Sequence, residues 1–180
     1  MSSFLRPELL RSDHEVADFD CGSEAQTTWL RQHALQAQQS DSARVYVVCR
    51  SGTKRVAGYY AIAAGSVAHD SASPRVAKGL GRYPIPVVLL TRLGVDLTEQ
   101  GNGLGLSLVQ DALLQTAAVA ERIAVRALLV HAETPQAALF YRRISPAFEE
   151  SPTDPLHLIL LLKDLRSALR AAANPEVSGA

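Results

Sequence analysis

Residues 86–113, PVVLLTRLGVDLTEQGNGLGLSLVQDAL, run from an apolar strand through a glycine-rich turn into an amphipathic helix. Gly101, Gly103 and Gly105 let the backbone take positive φ and leave its N–H groups uncovered. The helix they open points its positive dipole end at whatever binds there. The stretch therefore predicts an anion site, with pyrophosphate as its natural occupant. A purely structural glycine-rich helix cap is the alternative on pattern alone.

Working outward, Leu108, Val109, Ala112, Leu113, Thr116, Ala117 and Ala120 mark one face of that helix, suited to packing on a sheet. The short, mostly apolar run 125–130 reads as a buried central strand. A helix is expected over about 135–143, with Pro135 in its first turn and Ser145-Pro146 ending it. The last strand is expected over 156–162. An alanine-rich stretch from Lys163 continues as helix to about Ala173, and 174–180 should fray.

Upstream, 44–50 and 56–67 are strand-like, and Ser51-Gly52-Thr53-Lys54 between them suits a hairpin. Ser23-Glu24-Ala25-Gln26 has the form of a capping box, after which Trp29, Leu30, His33, Ala34 and Ala37 keep helical spacing to about Ser40. The segment holding Pro74, Gly79, Gly81 and Pro84 reads as a loop leading into a strand over 87–95. Hairpin strands pair antiparallel, whereas the strands flanking the glycine-turn helix can be parallel neighbours. One central mixed sheet of the α/β or α+β class is expected. At 180 residues, 47% of them hydrophobic and 20% charged, the chain suits one well-buried core. We expect a single domain over 1–163, with a C-terminal helix and tail over 164–180.

Lys and Arg number 18, as do Asp and Glu, so the chain lacks the net field of an obligate nucleic-acid binder. The distribution is uneven, however. Between Asp70 and Asp96 there is no acidic residue, while Arg75, Lys78, Arg82 and Arg92 all lie there. Charge pattern alone favours a solvated basic loop. Cys21 and Cys49 have neither zinc-site spacing nor the density of a disulfide scaffold, and no metal is expected. Residues 1–7 hold no cationic stretch leading into an apolar run, and no apolar run reaches bilayer-spanning length, so a cytoplasmic protein is expected.

A nucleotide-triphosphate loop needs Lys and Ser/Thr directly after its last glycine, but Gly105 is followed by Leu106 and Ser107. A dinucleotide fingerprint needs G-x-G-x-x-G and an acidic residue closing the next strand, but that strand ends in His131. Gln100-Gly101-Asn102-Gly103-Leu104-Gly105 instead resembles the Q/R-x-x-G-x-G/A signature of GNAT acetyltransferases, whose ligand is acetyl-CoA. The order of strands and helices around it, ending in Phe140-Tyr141, extends the resemblance over nearly the whole chain. It implies a mostly antiparallel mixed sheet flanked by helices, with a splayed parallel strand pair holding acetyl-CoA. It also implies that Leu93, Gly94 and Val95 offer backbone to the pantetheine arm, and that Gln100, Gly101, Asn102, Gly103, Leu104, Gly105 and Leu106 cradle the pyrophosphate.

A narrower resemblance rests on Phe19-Asp20-Cys21-Gly22, Trp29-Leu30, Val56-Ala57-Gly58-Tyr59-Tyr60, Ile85-Pro86-Val87, Leu93-Gly94-Val95-Asp96, Leu129-Val130-His131-Ala132 and Phe140-Tyr141. These look like the GNAT toxins of bacterial toxin–antitoxin modules, which acetylate the amino group of aminoacyl-tRNA. The resemblance implies an antitoxin partner with a ribbon-helix-helix DNA-binding domain, and a possible homodimer. The chain departs from the pattern at Ser145-Pro146-Ala147-Phe148, where many relatives place a glycine before the phenylalanine.

Acetyl transfer to an amine needs a neutral nucleophile, a stabilised oxyanion and a proton for the departing thiolate. An α-amino group titrates near ~7.7–8.0 and is partly neutral at cellular pH, so a dedicated base is not essential. Asp96, Glu99 and Glu133 are the carboxylates available, with solvent or backbone carbonyls as alternatives. Tyr141 is placed by the resemblance to protonate the thiolate, and a backbone N–H near Val95 to hold the oxyanion. Arg75, Lys78, Arg82 and Arg92, with Arg31, would contact tRNA phosphates. Tyr59, Tyr60 and Tyr83 are candidates to touch the aminoacyl end. No nucleophile elbow accompanies the scattered histidines, so a hydrolase triad is not supported. An acetyltransferase acting on a small-molecule or protein amine, and an idle acetyl-CoA-binding module, are the other readings.

Overall fold

The computed structural model describes residues 4–173. In chain order it forms β1 (Glu8–Leu9), α1 (Glu24–Gln32), α2 (Ala34–Gln39), β2 (Arg44–Cys49), β3 (Val56–Val67), α3 (Pro74–Ala77), β4 (Ile85–Val95) and α4 (Leu104–Ala120). Then follow β5 (Ala127–His131), α5 (Pro135–Ile144), β6 (Glu149–Glu150), β7 (His157–Leu161) and α6 (Leu162–Ala173). The strands form a seven-stranded sheet ordered β1-β2-β3-β4-β5-β7-β6. The β1/β2, β2/β3, β5/β7 and β6/β7 pairs are antiparallel. The chain divides into two compact units, Met1–Ala63 with Leu90–Ala112, and Ala64–Leu89 with Leu113–Ala180. β3, β4 and α4 each run from one unit into the other.

In the first unit the 51–54 hairpin forms as its residues predict, with Gly52 at φ 78° and the Thr53 N–H donating to the Arg50 carbonyl. Its core joins Leu10, Phe19, Leu30, Val45, Val47 and Tyr59. Ser23 caps α1 by accepting from the Gln26 N–H. The single helix expected to about Ser40 is instead two, broken at His33 (φ −122°, ψ −23°), with no Pro or Gly at the break.

In the second unit Ala127–Val130 of β5 are buried without alternation, as a central strand requires. Ile85, Val87, Ala127, Leu129, Ile159 and Leu161 close one core. Thr134 caps α5 by accepting from the Ala137 N–H, Pro135 fills its first turn, and Ser145 ends it. The expected loop around residue 74 holds a short helix, α3, capped by Ser73 and led by Pro74. The helix expected from Lys163 is α6, which buries Leu162 and Leu165. The expected fraying of 174–180 lies outside the described residues. No helix among the described residues is long and apolar enough to cross a membrane.

Candidate active site

β4 ends at Val95, a short 3-10 turn covers Leu97–Glu99, and the chain then passes through Gln100–Gly103 into α4. Gly101 (φ 81°) and Gly103 (φ 79°) take the left-handed conformation, and a Cβ on either would meet nothing within 4 Å. Their need for glycine is therefore conformational. Gly105 departs from the sequence reading, because it is already helical and has no positive φ. The Gly103 carbonyl accepts from the Ser107 N–H, so the helix starts here with the first-turn N–H groups left over. No acidic residue occupies the first turn of α4 to neutralise its positive end.

Two other glycines set the packing beneath. A Cβ on Gly58 of β3 would lie 3.0 Å from Leu108 and 3.2 Å from Leu104, so Gly58 lets the first turns of α4 approach the strand. A Cβ on Gly94 would lie 2.9 Å from the Tyr59 ring and 3.2 Å from Cys21 Sγ. Gly94 is thus required by the aromatic ring passing under it.

Gln100, expected to cradle phosphate, uses its side-chain amide differently. Nε2 donates to the Val95 carbonyl at 3.0 Å and to the Cys21 carbonyl at 3.1 Å. It ties the turn to the strand end and to the loop before α1. Asp96 works alongside it. One carboxylate oxygen accepts from the Thr98 N–H at 3.0 Å and hydroxyl at 2.6 Å, and the other accepts from the Asp20 N–H at 3.1 Å. The Leu97 N–H returns a bond to the Asp20 carbonyl at 2.8 Å. Burial alone would push the Asp96 carboxyl up, but the Thr98 and Asp20 donors outweigh it and hold the group below the usual carboxylate range. Glu99 is buried against Arg50. Two of the three carboxylates considered as bases, Asp96 and Glu99, are therefore structural anchors, while the third, Glu133, is exposed. Sequence reading missed Asp20 as the partner of Asp96, since a contact across 76 residues leaves no local signal.

Tyr141 lies on the buried face of α5 beside Phe140 and Phe148, with ring centroids 5.3 and 6.0 Å away. It is 6% exposed, and its hydroxyl has no hydrogen-bond partner among the described residues. Burial pushes the phenol's pKa up, so it stays protonated through the physiological range. It belongs to the second unit, and residues 93–106 to the first.

Tyr59 and Tyr60, considered as contacts for the aminoacyl end, are wholly buried. The Tyr59 hydroxyl donates to the Gln26 carbonyl at 2.7 Å, and Tyr60 bonds Asp111 of α4. Tyr83 is 79% exposed. His131 stacks on His157 across the β5/β7 pair at 3.8 Å.

The basic residues separate by environment. Arg75 pairs with Glu149 at 3.2 Å and Asp164 at 2.7 Å, which neutralises it. Arg92 stands 5.4 Å over the Trp29 ring, which is itself stacked on Tyr59. Lys78 and Arg82 are exposed and have no acidic partner among the described residues. Among those residues no group of three or more His, Cys, Asp or Glu could hold a metal ion.

Comparison with known proteins places the chain beside one from Mycobacterium tuberculosis called a tRNA-acetylating toxin. The two are 43% identical over 169 residues, which cover 94% of this chain and 99% of that one. The structure of AtaT complexed with acetyl-methionyl-tRNAfMet matches with a TM-score of 0.83 at 25% identity, over 92% of this chain and 99% of that one. AtaTR bound with acetyl-CoA matches with a TM-score of 0.77 at 25% identity, over 94% and 99%. A variant of AtaT bound to the C-terminus of the antitoxin AtaR shares the fold, with a TM-score of 0.78 at 24% identity, over 93% and 98%. No protein-family model matches the chain.

Proposed function

The chain belongs to the tRNA-acetylating toxins, acetyltransferases of the GNAT type, and from that premise we propose that it transfers acetyl from acetyl-CoA to the α-amino group of an aminoacyl-tRNA, blocking translation. The observation that carries this reading is the 43% identity across nearly the whole of both chains. The acid-free start of α4 behind Gly101 and Gly103 suits the acetyl donor's pyrophosphate.

In this reading the N–H groups of residues 101–106 hold the pyrophosphate, and Gln100 fixes the turn that presents them. The backbone of Leu93, Gly94 and Val95 lines the pantetheine arm, with the Val95 N–H holding the oxyanion. The substrate nitrogen attacks the thioester carbonyl, its C–N bond forms and the C–S bond breaks. The phenol of Tyr141 gives its proton to the departing sulfur. Asp96 and Glu99 are engaged elsewhere, and an α-amino group is partly neutral at cellular pH, so the proton lost by the nitrogen passes to solvent without a dedicated base. Residues 1–163 are the acetyltransferase domain in this reading, with a C-terminal helix and tail over 164–180.

Lys78, Arg82 and Arg92 meet tRNA phosphates, with Arg75 the weakest of the four because its charge is already paired. The protein works in the cytoplasm, forms a homodimer, and is neutralised by an antitoxin carrying a ribbon-helix-helix domain.

The test is incubation of the purified chain with labelled acetyl-CoA and a total pool of aminoacylated tRNA, followed by nuclease digestion and mass analysis. An N-acetylated aminoacyl-adenosine supports the proposal and names the amino acid. Its absence, with acetyl-CoA binding intact, transfers the activity to a small-molecule or protein amine.

A further inference from the structure

Seven consecutive exposed residues, 78–84, lie between two buried anchors, Val76 and Ile85. Their sequence, Lys-Gly-Leu-Gly-Arg-Tyr-Pro, puts an aromatic ring directly after one cation and five positions after another. Tyr83 is 79% exposed, the most exposed of the large hydrophobic side chains among the described residues. An isolated exposed tyrosine needs no explanation. This one sits on a loop whose shape is fixed. Arg126 reaches in from β5's leading edge and donates from Nε to the Val76 carbonyl at 3.0 Å and from Nη2 to the Lys78 carbonyl at 3.1 Å. The Leu80 N–H closes onto the Ala77 carbonyl at 3.0 Å, Gly79 takes φ 78°, and the Tyr83 N–H turns back to the Gly81 carbonyl at 2.8 Å. The ring rests on Gly81, where a Cβ would approach within 3.2 Å of it, so the glycine is what lets the ring lie there.

The charge is equally specific. No acidic residue occurs between 71 and 95, and Lys78 and Arg82 have no acidic partner among the described residues. A solvent-facing aromatic ring on a braced loop that also carries two unpaired cations, one next to it in the chain and one five residues before it, suits an unpaired nucleotide. Its base stacks on the ring while its phosphates meet the cations. A base-paired stem offers phosphates but no open base face, and an acidic peptide needs the cations but not the ring.

We infer that Tyr83 is a stacking platform for an unpaired nucleotide of the tRNA, with Lys78 and Arg82 holding the adjacent phosphates. This rests on the proposed tRNA reading and deepens it. The experiment compares the full chain with Tyr83→Ala and Tyr83→Phe, measuring affinity for tRNA and for a blunt-ended RNA duplex, with acetyl-CoA binding as the check of folding. Tyr83→Ala is expected to weaken tRNA binding by at least about fivefold. It should leave duplex binding and the salt slope unchanged, and Tyr83→Phe should match the parent chain. Unchanged tRNA affinity in Tyr83→Ala, or an equal loss for tRNA and duplex, overturns the inference. So does a loss confined to an acidic antitoxin peptide, which would give the loop to a protein partner. A parent chain that binds tRNA but acetylates no aminoacyl-tRNA overturns the proposed function alone, whereas one that acetylates while Tyr83→Ala binds equally well overturns only this inference.

Discussion

Replacing Asp96 with Asn separates the two roles a buried carboxylate beside an acetyl-transfer site can have. Asp96 is 4% exposed and accepts three hydrogen bonds on its two oxygens. Asparagine keeps one oxygen. If that oxygen stays with Thr98, the new NH2 faces the Asp20 N–H, donor against donor. One buried amide left without an acceptor costs about 1–3 kcal/mol, which for a chain of this size lowers Tm by about 2–12 °C. The loop at Asp20–Gly22 would loosen from the turn at 97–100, and a shift of that kind costs up to about a hundredfold in kcat/KM.

The pH dependence is the sharper readout. The folded carboxyl titrates below its ordinary 3.8, so it is fully ionised from pH 6 to 9 and cannot shape the rate profile there. Its stabilising contribution is present above pH about 3.8 and is lost as pH falls through the lower folded value. The parent chain should therefore lose an acid-side increment of stability that Asp96→Asn never had. Between pH 6 and 9 both should show the same rise in kcat/KM, set by the substrate amine near or below ~7.7–8.0. Measuring that profile for both proteins, with Tm alongside, decides the matter. If Asp96→Asn flattens the rise while Tm is unchanged, Asp96 is the base and the positioning argument fails.

Tyr141→Phe keeps the ring packed against Phe148 but removes the unpartnered hydroxyl, so kcat should fall about 10²–10⁴-fold with acetyl-CoA affinity retained. A wild-type turnover rate would remove Tyr141 from the chemistry. Gly103→Ala puts a Cβ on a left-handed residue at a cost of roughly 1–2 kcal/mol, and should weaken acetyl-CoA binding without changing tRNA affinity, checked by isothermal titration of each. Replacing Lys78 and Arg82 together by Ala should lower the slope of log affinity for tRNA against log salt by about 1.5, at roughly 0.7–0.9 per phosphate contact. Arg75→Ala should leave that slope nearly unchanged and lower Tm slightly, because exposed ion pairs contribute little to stability.

Most of the sheet was legible because its strands carry their own signals. Gly52 marks a hairpin, the unbroken apolar run at 127–130 marks a central strand, and Pro135 and Ser145-Pro146 bracket a helix. The two-residue strands at Glu8–Leu9 and Glu149–Glu150 were not legible, since two residues hold no periodicity and form only by pairing with β2 and β7. The glycine turn was legible for the same local reason: positive φ at 101 and 103 is a property of the residue type. What its neighbours do was hidden, because hydrogen-bonding residue types do not say whom they bond. Gln100 reads as a ligand contact in the signature but binds the Val95 and Cys21 carbonyls, and Asp96 reads as a base but binds Asp20 and Thr98. Equal formal charge likewise conceals unequal availability. Arg75 faces Glu149 and Asp164 across 74 and 89 residues of chain, while Lys78 and Arg82 remain open. A signature can therefore mark where the chemistry is held while the side chains that compose it do the holding, and the distinction becomes visible only once each donor has been matched to its acceptor.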